Sequence, residues 1–158
     1  MSKLGHRTLL VAVDQPEGSV LVLDWTLKHI YREGDTVLFL HVLPASQGRP
    51  GRGSSFHSSD PHHEELLTEN VRSTMQDRLV EHAASVGAHP QVSIVKGEGG
   101  DADSIGDIIC RKAEETQAAL VVMAAHTKGS PQERHAVGAV TRYCTRHCTS
   151  TVLVMQQP

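Results

Sequence analysis

Short apolar runs alternate along the chain with longer stretches in which apolar residues recur every three or four positions. Five runs read as strands: Thr8 to Val13, Thr36 to Leu43, Gln91 to Val95, Ala119 to Ala124 and Thr151 to Met155. Near-continuous apolar character in the first, second and fourth of these implies strands covered on both faces. The third alternates polar and apolar residues, which suits an edge or a partly exposed position. Between the strands, Leu23, Leu27 and Ile30 predict one helix, closed by Gly34 and Asp35. Leu67, Val71, Met75 and Leu79 predict a second, ended by Gly87; Ile105, Ile108, Ile109 and Ala113 a third; Val140, Cys144 and His147 a fourth.

Strands that alternate with helices pair in parallel through right-handed crossovers, so the expected architecture is α/β, an open sheet with helices on both faces. No internal repeat or domain linker interrupts the 158 residues, and one domain is expected over 1–158. The segment 45–62 is expected to be a mobile insertion, because Ala45 to Asp60 is rich in Gly, Ser, Pro and Arg.

Composition narrows the function classes. A net charge of -3 provides no basic footprint for nucleic acid or an anionic membrane surface. One Trp, two Tyr and two Phe are too few and too scattered for a base-stacking platform. Ala118 to Ala125 is the longest apolar run and is far too short to span a bilayer, and Leu9 to Val13 stops at Asp14 without a cleavage site. Cys110, Cys144 and Cys148 are odd in number and lack CxxC spacing, which fits reduced thiols and a cytoplasmic location better than a disulfide scaffold.

In open parallel sheets ligands bind beyond the carboxyl ends of the strands, where neighbouring crossovers diverge. Asp14 falls there, directly after the first strand. Its carboxylate can accept hydrogen bonds from ribose hydroxyls, or it can cap the turn into Gln15-Pro16-Glu17-Gly18. Ala124 through Ala139 follows the fourth strand and carries His126, Lys128, Gly129, Arg134, His135 and Gly138 before the last helix opens. A helix N-terminus with nearby cations suits a phosphate; a solvated loop with turn glycines is the competing reading.

Other patterns carry less. Gly97-Glu98-Gly99-Gly100-Asp101-Ala102 matches G-x-G-x-x-A by count, yet it follows the third strand and its acids would repel a pyrophosphate. No Walker-type phosphate loop is present. His57, His62 and His63 show no fixed metal-ligand spacing and read as a polar loop. Cys144 and Cys148, four residues apart beside His147, read as packed thiols. No nucleophile elbow or other catalytic context is visible, so no catalytic residue and no metal site is assigned.

In their order and spacing these segments resemble the universal stress protein family. The resemblance runs through Leu10-Val11-Ala12-Val13-Asp14, then Gly34-Asp35-Thr36-Val37-Leu38-Phe39-Leu40-His41-Val42, with its His-Val pair. It continues in Ala119-Leu120-Val121-Val122-Met123-Ala124 and in Arg146-His147 to Val152-Leu153-Val154. It implies a Rossmann-like sheet of order 3-2-1-4-5 with the switch point between strands 1 and 4. It further implies a non-enzymatic stress-response regulator that binds an adenine nucleotide, ATP (with Mg) or AMP, and forms a homodimer through the C-terminal strand. Ala12, Val13 and Val42 would line the adenine and Asp14 would meet the ribose or the adenine.

The phosphates would lie along a loop of form G-x2-G-x9-G-[ST], and here the sequence departs from the family. Met123 matches the residue before the loop, but Ala124 replaces its first Gly. Either Thr127 replaces the second Gly, or Gly129 is that Gly, with His126 in the loop between. Gly138 matches the third Gly, Ala139 replaces the hydroxyl residue, and Val140-Thr141 resume the pattern. A nucleotide-independent dimeric interaction module is therefore the alternative. An ATPase ranks behind both, since no general base or Mg-binding carboxylate can be assigned after the fourth strand.

Overall fold

The computed structural model describes residues 5–45, 61–125 and 138–156. Five strands form one sheet: β1 (Thr8–Ala12), β2 (Thr36–Leu43), β3 (His89–Lys96), β4 (Leu120–Ala125) and β5 (Thr151–Gln156). The helices are α1 (Pro16–His29), α2 (Pro61–Met75), α3 (Glu81–Ser85), α4 (Ala102–Glu115) and α5 (Ala139–His147). All strand pairs are parallel, in the order β3-β2-β1-β4-β5. The architecture is the expected one.

The apolar runs have a two-sided cause. Val11, Val37, Phe39 and Val122 face one core, which α1, the C-terminal end of α2 and α3 close with Val22, Leu23, Met75 and Ala83. Their strand neighbours Leu10, Leu38, Leu40 and Val121 face the opposite core, closed by Ile109, Ala113 and Cys144 of α4 and α5. Successive strand residues point to opposite faces, so a strand covered twice must be apolar at every position. β3 and β5 form the edges and are only partly buried. Pro90 interrupts the N–H groups of β3, whereas β5 contains neither Pro nor a charged residue.

The second helix is not one regular helix. A π-helical stretch, Gln76–Val80, joins α2 to α3. Met75, Leu79 and Ala83, four residues apart, are all fully buried. In a regular α-helix a spacing of four drifts by about 40° per step, because a turn takes 3.6 residues. A π turn holds more residues and reverses that drift, keeping these side chains over the sheet. α2 also takes in Pro61 and His62, the last two residues of the segment 45–62; the insertion's residues 46–60 lie outside the described residues.

Where α1 gives way to β2, Gly34 has φ +90° and Asp35 is buried. Asp35 accepts from Arg7 Nε at 3.1 Å and from the Arg32 backbone N–H at 3.0 Å. Arg7 Nη2 also donates to the Ile30 carbonyl at 3.0 Å, so this pair holds the start of β1 against the end of α1. Burial alone would raise the Asp35 carboxyl's pKa; the bonds from Arg7 and Arg32 and the Arg7 charge outweigh it and hold the group below its usual range. The acidic Gly-rich turn before α4 is a cap: Asp101 accepts from the Ser104 N–H at 3.1 Å and from its hydroxyl at 2.6 Å.

The cysteine expectation needs correcting. Cys110 and Cys148 form a disulfide with their Cα atoms 4.8 Å apart, and Cys144 alone is a free, buried thiol. The crossover through β4 lays α5 beside α4 on one face of the sheet, which joins residues 38 apart in sequence. The close approach depends on Gly106, where a Cβ would run into the Tyr143 ring.

Candidate functional site

β1 sits between β2 and β4, and the crossovers from its two sides leave opposite ways, so a crevice opens at the carboxyl ends of these strands. A cavity of 480 Å³ occupies it, a size that suits a small-molecule ligand. Its floor is built by strand ends: Ala12 and Val13 from β1 and the residue after it, Leu40 to Val42 from β2, and Met123 and Ala124 from β4. The backbone N–H of Val13 donates to the Leu40 carbonyl at 2.8 Å, which carries the pairing of β1 and β2 to the cavity wall.

His41 lies against this floor and is buried, with Nδ1 2.7 Å from the Val13 carbonyl oxygen. A carbonyl can only accept, so Nδ1 carries the proton and donates. Asp14 stands exposed at the rim and is the one acidic side chain on the cavity wall among the described residues.

Two helices begin at the cavity. α1 enters through Gln15, Gly18 and Ser19, and α5 through Gly138, Ala139, Val140 and Thr141. Neither has a side-chain hydrogen bond at its N-cap, Gln15 or Gly138. Helix N-termini direct backbone N–H groups and the positive end of the helix dipole outward, so the cavity has two adjacent positions suited to an anion. Thr141 is buried and its hydroxyl donates to the Ala124 carbonyl at 3.4 Å, fastening α5 to the end of β4. On the remaining side Ile105 and Ile109 of α4 form an apolar wall.

Of the residues singled out from sequence, Ala12, Val13, Asp14, Val42, Met123, Ala124, Gly138, Ala139, Val140 and Thr141 all line this one cavity. His126 and Gly129 lie outside the described residues, as do Lys128 and Arg134. The sequence reading missed Ser19, His41, Ile105 and Ile109 on the wall. The His-Val pair at the end of β2 was a usable signal for His41; the i, i+4 pair Ile105 and Ile109 read only as a packing face. Among the described residues, the group of His, Cys, Asp or Glu side chains close enough to share a metal is Cys110, Cys144 and Cys148, away from the cavity. No helix is long and apolar enough to cross a membrane among the described residues.

Comparison with known proteins gives the same picture. The Universal stress protein family pattern matches residues 5–156. Universal stress protein PHOS32 of Arabidopsis thaliana is 27% identical over 164 residues; the match covers 97% of this chain and 66% of that protein, so the chain spans just under two thirds of its relative's length. Among solved structures, hypothetical protein MJ0577 superposes with a TM-score of 0.73 at 20% identity, covering 97% of both chains. A universal stress protein family protein from Arabidopsis thaliana with AMP bound superposes with a TM-score of 0.58 at 20% identity, covering 96% of this chain and 92% of that one. With a family match over nearly its whole length and a sheet of order β3-β2-β1-β4-β5, this chain belongs to the universal stress protein family.

Proposed function

We propose that the chain is a non-enzymatic regulator that reports adenine-nucleotide levels by binding AMP in the cavity at the ends of β1 and β4. The observation that carries this reading is the meeting of two helix N-termini with one rim carboxylate around a cavity of 480 Å³. The adenine lies on Ala12, Val13 and Val42, the ribose hydroxyls donate to Asp14, and the phosphate faces the first turn of α5 at Gly138. A relative of the same fold carries AMP. AMP fits better than ATP with Mg, because β4 and α5 bring no acidic side chain to the phosphate end of the wall among the described residues. Among the described residues of the cavity wall, the Ser19 and Thr141 hydroxyls donate to backbone carbonyls rather than to a base, which supports binding without catalysis.

The reading extends to a cytoplasmic homodimer paired through β5, supported by that edge's half-buried apolar residues and its lack of Pro or charge. A nucleotide-independent interaction module is the second reading, favoured by Ala124 and Ala139 at positions where the family pattern has Gly and a hydroxyl. Calorimetry of the purified protein with AMP, ATP and adenosine separates the two. The expected result is saturable AMP binding that Asp14→Ala weakens at least tenfold. Absence of heat with all three ligands overturns the nucleotide reading and leaves the interaction module.

A further inference from the structure

Away from the cavity, three sulfurs meet between α4 and α5. The Sγ atoms of Cys110, Cys144 and Cys148 all lie within 4.8 Å of one another. Cys144 lies on α5 and Cys148 is the residue that ends it, its N–H bonded to the Cys144 carbonyl at 3.0 Å, and both meet Cys110 of α4. Cys144 is buried, and its thiol sits 3.7 Å from the Gly106 carbonyl. Cys110 and Cys148 are half-buried, so the cluster has an outer pair and an inner thiol. The surroundings are apolar, with Ile109, Ala113, Val140 and Val152 packed in the same core.

We propose that these three cysteines, when reduced, form an all-sulfur site for Cu(I), and that the Cys110–Cys148 disulfide is the closed form of the same site. The count of ligands selects the ion. Zn(II) in a structural site takes four ligands in a tetrahedron, and among the described residues no histidine or carboxylate joins this group. Thiolate is the soft ligand that suits Cu(I), for which three sulfurs are a complete set. The geometry is compatible, because metal–thiolate bonds of about 2.3 Å in a trigonal arrangement place the sulfurs about 4 Å apart, inside the span observed.

A bound cation supplies the charge that lets an apolar site hold thiolate, and each coordinating thiol releases its proton to solvent. Opening the closed form takes two electrons and two protons from a dithiol reductant, which itself becomes a disulfide; Cys110 and Cys148 become thiols. Oxidation by a disulfide-containing small molecule runs this in reverse and removes two of the three ligands at once.

The test uses the full chain under anaerobic conditions and Cu(I) held by the chromophoric chelator bicinchoninate. Protein reduced with a dithiol is expected to withdraw one equivalent of Cu(I) and to gain near-ultraviolet thiolate-to-copper absorption. Oxidised protein is expected to withdraw none until reduced. Cys144→Ser, which leaves the outer pair intact, is expected to bind at least tenfold more weakly, with an unchanged far-ultraviolet circular dichroism spectrum. Should that buried variant fail to fold, Cys110→Ser at the half-buried position makes the same test. Failure of reduced wild-type protein to withdraw copper overturns the proposal. So does equal affinity in a folded serine variant, or displacement of Cu(I) by equimolar Zn(II).

Discussion

The imidazole of His41 donates a hydrogen bond of 2.7 Å to the carbonyl of Val13, tying the end of β2 to the end of β1 directly beneath the cavity. The bond takes the Val13 carbonyl out of competition for a ligand and fixes the peptide that leads to Asp14. His41→Ala removes this hydrogen bond from the Val13 carbonyl and leaves a void, a loss of about 2–3 kcal/mol. His41→Asn places an amide nitrogen near the same position and is expected to recover part of it. Urea denaturation of both variants checks the order wild type, Asn, Ala; equal stability for Asn and Ala would show that the bond contributes little.

Gly138 has φ -56° and ψ 156°, a conformation open to any residue, so its substitution is expected to leave the fold intact. Gly138→Val should nevertheless crowd the first turn of α5. AMP binding is expected to fall about tenfold, roughly the value of one hydrogen bond to a charged group, while adenosine binding changes little. Calorimetry with the two ligands reads the difference, and equal losses would place the phosphate elsewhere.

Asp35 predicts a specific acid sensitivity. Its folded-state carboxyl lies below the usual range, held down against burial by Arg7 and Arg32. Folding is therefore favoured above the unfolded-state pKa of about 4, and this contribution is lost as pH falls through the folded value. Arg7 is 28% exposed, so its pairing counts for less than a fully buried ion pair. Asp35→Asn is expected to cost about 1–2 kcal/mol at neutral pH and to flatten the decline below about pH 4. Denaturation midpoints across that range in wild type and variant give the test; parallel profiles would remove Asp35 from the account.

The β5 edge gives a prediction on assembly. Leu153→Lys together with Val154→Pro puts a charge on the strand and removes one of its N–H groups, which is how natural edges are kept unpaired. Analytical ultracentrifugation is expected to show a dimer for wild type and a monomer of similar fold for the double variant. A monomeric wild type at tens of micromolar would eliminate this interface.

The strands of this protein were legible in its sequence because burial on two faces leaves a local trace. Val37, Leu38, Phe39 and Leu40 are apolar in succession, and each is at most 4% exposed. The cavity was legible to the extent that it is made of strand ends and the following residues, which is how Asp14, Met123 and Gly138 were found. What periodicity could not register were pairings set by topology. Arg7 meets Asp35 only because β1 and β2 run side by side, and Cys110 meets Cys148 only because α4 and α5 share a face. The π-helical stretch was foreshadowed by the exact spacing of four from Leu67 to Leu79, although a regular helix was the simpler reading of it.

The two borders of the sheet are unequal. On β3, Pro90 removes one backbone donor, and Lys96 at the strand's end is engaged with Glu64 of α2 at 2.6 Å. On β5 no residue provides such a block. A sheet with two receptive borders can add copies without limit and grow into a ribbon. One receptive border can be used only once, by a like border turned through a two-fold axis. If the protein pairs through β5 as proposed, growth by edge pairing would stop at two copies, with Pro90 on the far side of the sheet as the guard against filaments.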